Sequence, residues 1–308
     1  MRARFVTCDV FTNQLFGGNP LAVFPDASGI PEGALQSIAR EFNLSETVFV
    51  YPAEQREHTR RLRIFTPAAE LPFAGHPTIG AAHTLATLGK IPLRGPETSI
   101  VFEEKVGPVP VLIRALDGKP SFAQLTTARA PEVGPPTPGR SVLADVLGLE
   151  ATDIQGGMTA PQGVSCGLPF LIVPLKDRDA VRRSHIRMDH WESSIKSYWA
   201  PQILVFSRDA EREGADLHAR VFVPGLSVPE DPATGSAATA LGAYLAARDT
   251  QSDGTLRWVV EQGLEMGRPS VLEIVVEKAG GETKSVKVGG ETVMVSEGEI
   301  ETGSGIQS

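Results

Sequence analysis

Only two cysteines occur in the 308 residues, Cys8 and Cys166. Two thiols cannot build a disulfide framework, and their scarcity points to a cytoplasmic setting. There is no Cys-x-x-Cys, and His185 and His190 are five apart, a spacing that does not share one helical face, so no metal site is expected. No run of about 18 apolar residues exists, which argues against a membrane span. The opening stretch, MRARFVTCDVFTNQLF, contains no continuous apolar signal segment. Basic residues are in short supply. Lys and Arg number 29 against 37 Asp and Glu, for a net charge of −8. Nucleic acid is therefore disfavoured as the main partner, because phosphate binding needs a basic surface. A small anionic substrate stays open, since a local pocket can oppose the global sign. The phosphate-binding motifs are missing too. GHPTIG is followed by Ala-Ala rather than Lys-Ser/Thr, and Gly17-Gly18 lacks the third glycine of a dinucleotide fingerprint.

What is present is a globular composition with an internal echo. Hydrophobic residues make up 41% and charged residues 21%, enough for a core and too evenly mixed for disorder. ELPFAGHPTIGA begins at Glu70, and EDPATGSAATAL begins at Glu230. Each is preceded by a related strand-like string, RIFTP (63–67) and RVFVP (220–224). Further back, GGNPLAVF (17–24) resembles CGLPFLIV (166–173), and ETVFV (46–50) can be set against QILVF (202–206). Four segments recur in one order, which predicts two structurally similar halves.

Each half reads as β-strands rich in Val, Ile and Phe, followed by a Pro/Gly turn and a helix of small residues. The two helices, HPTIGAAHTLATLG and ATGSAATALGAYLAARD, carry almost no charge. A helix apolar on most faces is usually buried, so each half is expected to wrap a sheet around a central helix. SVLEIVVEK and SVKVGGETVMVS look like hairpin partners across AGGE. ARAPEVGPPTPGRS (128–141) reads as the crossover between halves, and the final ETGSGIQS as a loose tail.

The recurring turn sits where a strand ends and a buried helix begins. First-turn N–H groups lack partners and carry partial positive charge, and glycine lets a ligand come close. Gly75-His76 and Gly235-Ser236 are therefore candidate carboxylate or phosphate holders. Each piece also has a plainer reading. Asp231-Pro232 could be an ordinary N-cap followed by a first-turn proline, and His76-Pro77 a simple turn. Glu46 opens an apolar strand behind the turn-like Asn-Leu-Ser. Partial desolvation there would raise its pKa and suit it to proton transfer near neutral pH, although it could equally be an exposed strand-end residue. Its counterpart, Gln202, cannot titrate.

DVFTNQLFGGNPLAVF, EFNLSETVFV, RIFTPAAELPFAGHPTIGAAH, VFVPGLSVPEDPATGSAA and EQGLEMGRPS together resemble the PhzF (phenazine biosynthesis PhzF-like) family, across almost the whole chain and in order. The resemblance implies an α+β fold of the diaminopimelate epimerase type. It would have two pseudo-symmetric lobes, each a mixed sheet or barrel rolled around a central helix, with the active site in the cleft between them. The expected division is 1–118 with 281–308 for the N-terminal lobe and 119–280 for the C-terminal lobe. By motif position, Glu46 is implied as the general acid/base, with His76 and Asp231 assisting. Gly75, Gly235, Ser236 and Asn19 would bind substrate. Amino-acid racemases of this fold use two cysteines, which would fall at Ala74 and Thr234, so a two-thiol racemisation is disfavoured. The resemblance therefore implies a cofactor-independent isomerase moving a proton on a small carboxylic acid, with homodimers common among relatives. An epimerase or dehydratase on a related acid, or a non-catalytic small-molecule binder keeping the fold, remain the alternatives.

Overall fold

The computed structural model describes residues 2–226 and 228–303. The chain divides into two compact units, residues 1–128 with 289–308, and residues 129–288. The first unit contains β1 (Arg2–Val10), β2 (Asn19–Phe24), α1 (Leu35–Phe42), β3 (Glu46–Tyr51), β4 (Arg60–Phe65) and β5 (Glu70–Leu71). It continues with α2 (Gly75–Thr87), β6 (Glu97–Glu104), β7 (Gly107–Leu116) and β8 (Lys119–Thr126). The second unit holds β9 (Glu132–Val133), α3 (Arg140–Leu147), β10 (Gln162–Ser165), β11 (Pro169–Pro174), α4 (Arg178–Arg183) and α5 (Met188–Ser194). Then come β12 (Gln202–Ser207), β13 (Leu217–Val223), β14 (Val228–Asp231), α6 (Gly235–Ala246), β15 (Gly254–Gln262), β16 (Ser270–Ala279) and β17 (Glu282–Gly290), whose last two residues already belong to the first unit. The last strand, β18 (Thr292–Glu301), returns to the first unit and pairs antiparallel with β1.

The pairing pattern explains the repeat in the sequence. In the first unit β1–β2 is antiparallel, β2–β3 parallel, β3–β4 antiparallel and β4–β6 parallel, with β5 antiparallel on β4. In the second, β10–β11, β11–β12, β12–β13 and β13–β15 follow the same sequence of directions, with β14 antiparallel on β13. Antiparallel β6–β7 likewise matches β15–β16. Every parallel step needs a helical crossover. Helix α1 makes the first and α2 the second. Helices α4 and α5, then α6, do so in the other unit.

Strands covered on both faces read as unbroken apolar runs. Strand β2 carries α2 on one side and an aromatic cluster on the other, where Phe24 stacks on Phe49 at 4.9 Å beside Leu35 and Ile38 of α1. Strands β11 and β12 pack against Leu143, Val146, Leu147 and Trp191 of α3 and α5. The outer strand β6 instead alternates, with Thr98, Ile100, Phe102 and Glu104 buried.

Helix α2 is buried from Gly75 through Ala86 and packs against β1, β2, β3, β7, β8 and β18. Gly80 makes that depth attainable: a β-carbon there would lie 2.5 Å from Leu21 Cδ2 and 2.7 Å from Val10 Cγ2. Gly242 does the same for α6, where a β-carbon would meet Ile274 Cγ2 at 2.5 Å. Both cysteines are buried against these helices. Cys8 Sγ is 3.7 Å from Thr84 Oγ1 and Cys166 Sγ is 3.6 Å from the Thr239 carbonyl. Burial pushes both thiols up to about 12.

Two local expectations shift. SVKVGGETVMVS is not one hairpin arm. It divides at Glu291 into the end of β17, which turns back from β16 at Gly280-Gly281, and the start of β18, whose partner is β1. The first unit extends past 118 to Ala128, because β8 pairs with β7. Residues 129–141 of the expected crossover then open the second unit, and residues 304–308 of the expected tail lie outside the described residues.

Candidate active site

Glu46 is the first residue of β3 and pairs in register with Leu21 of the parallel neighbour β2. The strand carries its apolar residues into the core and leaves this carboxylate at the rim, with its side chain 16% exposed. His76 is the second residue of α2 and its side chain is 5% exposed. The two meet. Glu46 Oε2 lies 3.3 Å from His76 Nε2. The contact is not aligned as a full hydrogen bond, and His76 Nε2 has no hydrogen-bond partner among the described residues. Burial pushes the His76 pKa down to about 3, so its imidazole is neutral near pH 7. A neutral ring offers one N–H and one lone pair.

Both central helices begin without a side-chain cap. Ala74 is the N-cap of α2 and Thr234 that of α6, and neither makes a side-chain capping hydrogen bond. The first-turn N–H groups at Gly75-His76 and at Gly235-Ser236 are therefore not engaged by a cap, and they carry the positive end of the helix dipole. Neither N-cap is a cysteine.

The capping reading of Asp231-Pro232 does not hold. Helix α6 starts at Gly235, so Pro232 is not its first residue, and Asp231 ends β14. Asp231 instead accepts a short hydrogen bond from the Thr234 hydroxyl, while Gln262 donates to the Asp231 carbonyl at 2.7 Å and accepts from Thr234 N at 3.2 Å. The turn is set by close packing of backbone. Gly263 has φ +78°, and a β-carbon on it would lie 2.6 Å from the Pro232 carbonyl oxygen. Ser236 is the half-buried residue of an otherwise buried first turn. Asn19 opens β2, fully buried, two residues before the register partner of Glu46. Gln202 opens β12 opposite Phe170, the place Glu46 takes in the first unit.

The structure also gives a reason for the repeated glutamate of the two turn motifs. Arg63 Nε and Nη2 donate to Glu70 at 2.8 and 2.9 Å, and Arg220 Nε and Nη2 donate to Glu230 at 2.8 Å each. A second pair also recurs. Glu103 accepts from the Glu54 and Gln55 amides and contacts His58, while Glu261 accepts from the Glu211 and Arg212 amides and contacts His218. The sequence reading missed both. The Arg-x-Phe-x-Pro strings stood beside the Glu motifs in each half, and pairing the two was the available signal.

The family model described as "Phenazine biosynthesis-like protein" matches residues 8–298. The chain belongs to this family. It is 38% identical over 299 residues to an uncharacterized isomerase of Mesorhizobium japonicum, covering 96% of this chain and 98% of that one. It is 32% identical over 302 residues to the trans-2,3-dihydro-3-hydroxyanthranilate isomerase of Pseudomonas aeruginosa, covering 96% and 98%. The crystal structure of the Bacillus anthracis phenazine biosynthesis protein of the PhzF family superimposes with a TM-score of 0.88 at 28% identity, over 98% of this chain and 99% of that one. The fold is α+β, and the chain is a PhzF-family isomerase. No helix among the described residues is long and apolar enough to cross a membrane.

Proposed function

We propose that this isomerase moves a proton on a small carboxylic acid without a cofactor, with Glu46 as its single general acid/base. The observation that carries the reading is the 3.3 Å contact of the Glu46 carboxylate with neutral His76 at the uncapped start of α2. Glu46 removes a proton from a carbon next to an unsaturated or carbonyl group. It then returns the proton to another carbon on the same face. His76 packs against the carboxylate and, being neutral, brings no positive charge to it.

In each unit the helix-start N–H groups, at Gly75 in the first and at Gly235-Ser236 in the second, are suited to hold a carboxylate, with Asn19 and Asp231 as the polar side chains proposed to assist them. Such donors also stabilise negative charge that develops as the proton leaves. Gln202 gives the second unit no titrating counterpart to Glu46, which favours one base over two. Proton shifts of this kind need only acid–base groups and positioning.

The test is a screen of small carboxylic acids in D2O by proton NMR, beginning with trans-2,3-dihydro-3-hydroxyanthranilate. The proposal expects enzyme-dependent loss of one C–H signal with deuterium uptake in the product. Saturable binding of these acids with no exchange into any of them would overturn the proposed proton shift.

A further inference from the structure

Glu104 is the last residue of β6 and faces inward in phase with Thr98, Ile100 and Phe102. It is 8% exposed. Its Oε1 lies 2.7 Å from Thr78 Oγ1 in the first turn of α2, and its Oε2 has no partner among the described residues. Thr78 Oγ1 also lies 2.8 Å from the carbonyl oxygen of Ala74, the N-cap residue. A hydroxyl has one hydrogen, and a carbonyl can only accept. One hydrogen cannot fully satisfy both short contacts; with Thr78 donating to Ala74, a protonated Glu104 supplies the hydrogen for the second.

The second unit shows what this position does. Glu103-Glu104 corresponds to Glu261-Gln262, because Glu103 and Glu261 each hold two loop amides and a histidine. Gln262 donates from Nε2 to Thr234 Oγ1 at 3.1 Å, and Thr234 is the N-cap of α6. The corresponding residue of the second unit is thus an amide that donates a hydrogen at the start of its helix, as a protonated Glu104 would. We infer that Glu104 is a positioning residue, carried as the neutral acid, that pins the first turn of α2 and with it Gly75 and His76 through Thr78.

The surroundings agree. Burial raises the Glu104 pKa to about 8 against the lowering effect of Thr78. On β4 and the loop before it, Arg61 is taken by Glu54, Arg63 by Glu32 and Glu70, and His58 by Glu103 of β6. Lys105, next in sequence, is taken by Glu70. The register partner on β7 is Gly107, without charge. On α2, burial holds His76 and His83 neutral, at about 3 and about 4. Arg61, Arg63 and Lys105 already have carboxylates, and Arg60 at the head of β4 gives its guanidinium to the Thr59 and Lys90 carbonyls rather than to Glu104. Above about pH 8 the carboxyl loses its hydrogen, and two acceptors face each other across Thr78 Oγ1.

The placement of His76 gives this a bearing on the proposed chemistry, but the test needs no substrate and succeeds or fails separately from it. Amide exchange of the peptide covering 74–80 is followed by mass spectrometry at pH 7 and pH 9.5, in the unsubstituted protein and in Glu104→Gln. Comparison at one pH cancels the intrinsic exchange rate. At pH 7 the two should exchange alike. At pH 9.5 the unsubstituted protein should exchange at least about tenfold faster than Glu104→Gln. Equal exchange at both pH values would overturn the inference. A second readout does not depend on that variant folding. In protein carrying δ-13C glutamate at pH 6.5, one carboxyl resonance should sit at the protonated position and move in Thr78→Val. A spectrum with no protonated glutamate, or one that Thr78→Val leaves unchanged, would equally overturn it.

Discussion

Arg220 holds Glu230 through two parallel hydrogen bonds of 2.8 Å, with the side chains only 10% and 17% exposed. The same guanidinium donates from Nη1 to the carbonyls of Val181, Arg182 and Ser184. Glu230 immediately precedes Asp231, so the pair fixes the turn from which α6 springs. Removing the carboxylate leaves a largely buried cation without its partner. Glu230→Ala should therefore cost about 3 kcal/mol of unfolding free energy, read from urea titration. Glu32→Ala is the contrast. Glu32 also binds an arginine, Arg63, but is 75% exposed, and its loss should cost under about 1 kcal/mol.

The depth of the central helices can be tested at glycine. Gly80→Ala would place a methyl group 2.5 Å from Leu21 Cδ2 in a fully packed region. It should destabilise by about 1–3 kcal/mol through overpacking. Gly33→Ala, where a β-carbon meets nothing within 4 Å, should change stability by less than about 1 kcal/mol. Paired denaturant titrations with an unchanged slope would check both.

The sequence announced the architecture more clearly than the site. LAVF, TVFV, FLIV and ILVF are apolar without alternation, and they became the parallel pairs β2–β3 and β11–β12, covered on both faces. The near-chargeless helices were legible as buried for the same reason. The positions of Glu46 and His76 were each readable as helix-start or strand-start chemistry. Their contact was not, because it joins residues 30 apart on β3 and α2, which meet only when the helix packs against the strand. Glu104 was harder still. In FEEKVG two glutamates look like an exposed charged run, and only the phase set by Thr98, Ile100 and Phe102 marks the second as inward-facing. The capping reading of Asp231-Pro232 failed because local sequence could not show that Gly263 and Gln262 reshape the turn and delay the helix to Gly235.

His76 makes an acid-side prediction. Its folded pKa is pushed down to about 3 by burial, against an ordinary value near about 6.5. As pH falls below the ordinary value the unfolded chain takes up a proton that the folded chain refuses. Stability from this group is thus present above pH 6.5 and lost as pH falls toward 3. His76→Asn lacks that titration. The stability difference, unsubstituted minus variant, should shrink by about 1.4 kcal/mol per pH unit between pH 6 and 4. A difference that stays constant across this range would show that His76 is protonated in the folded protein. Glu104 acts with the opposite sign, since its raised pKa removes stability as pH rises from about 4.5 toward about 8.

The central claim is that one carboxylate, Glu46, carries the proton. It is tested most directly by Glu46→Gln, which keeps the size of the side chain and its place at the head of β3 but cannot accept the proton. Deuterium incorporation from D2O into whichever carboxylic acid the unsubstituted enzyme turns over should fall by at least about 10³-fold, while binding of that acid, measured by calorimetry, changes by less than about tenfold. Exchange that continues at the unsubstituted rate in a folded Glu46→Gln variant would contradict the account.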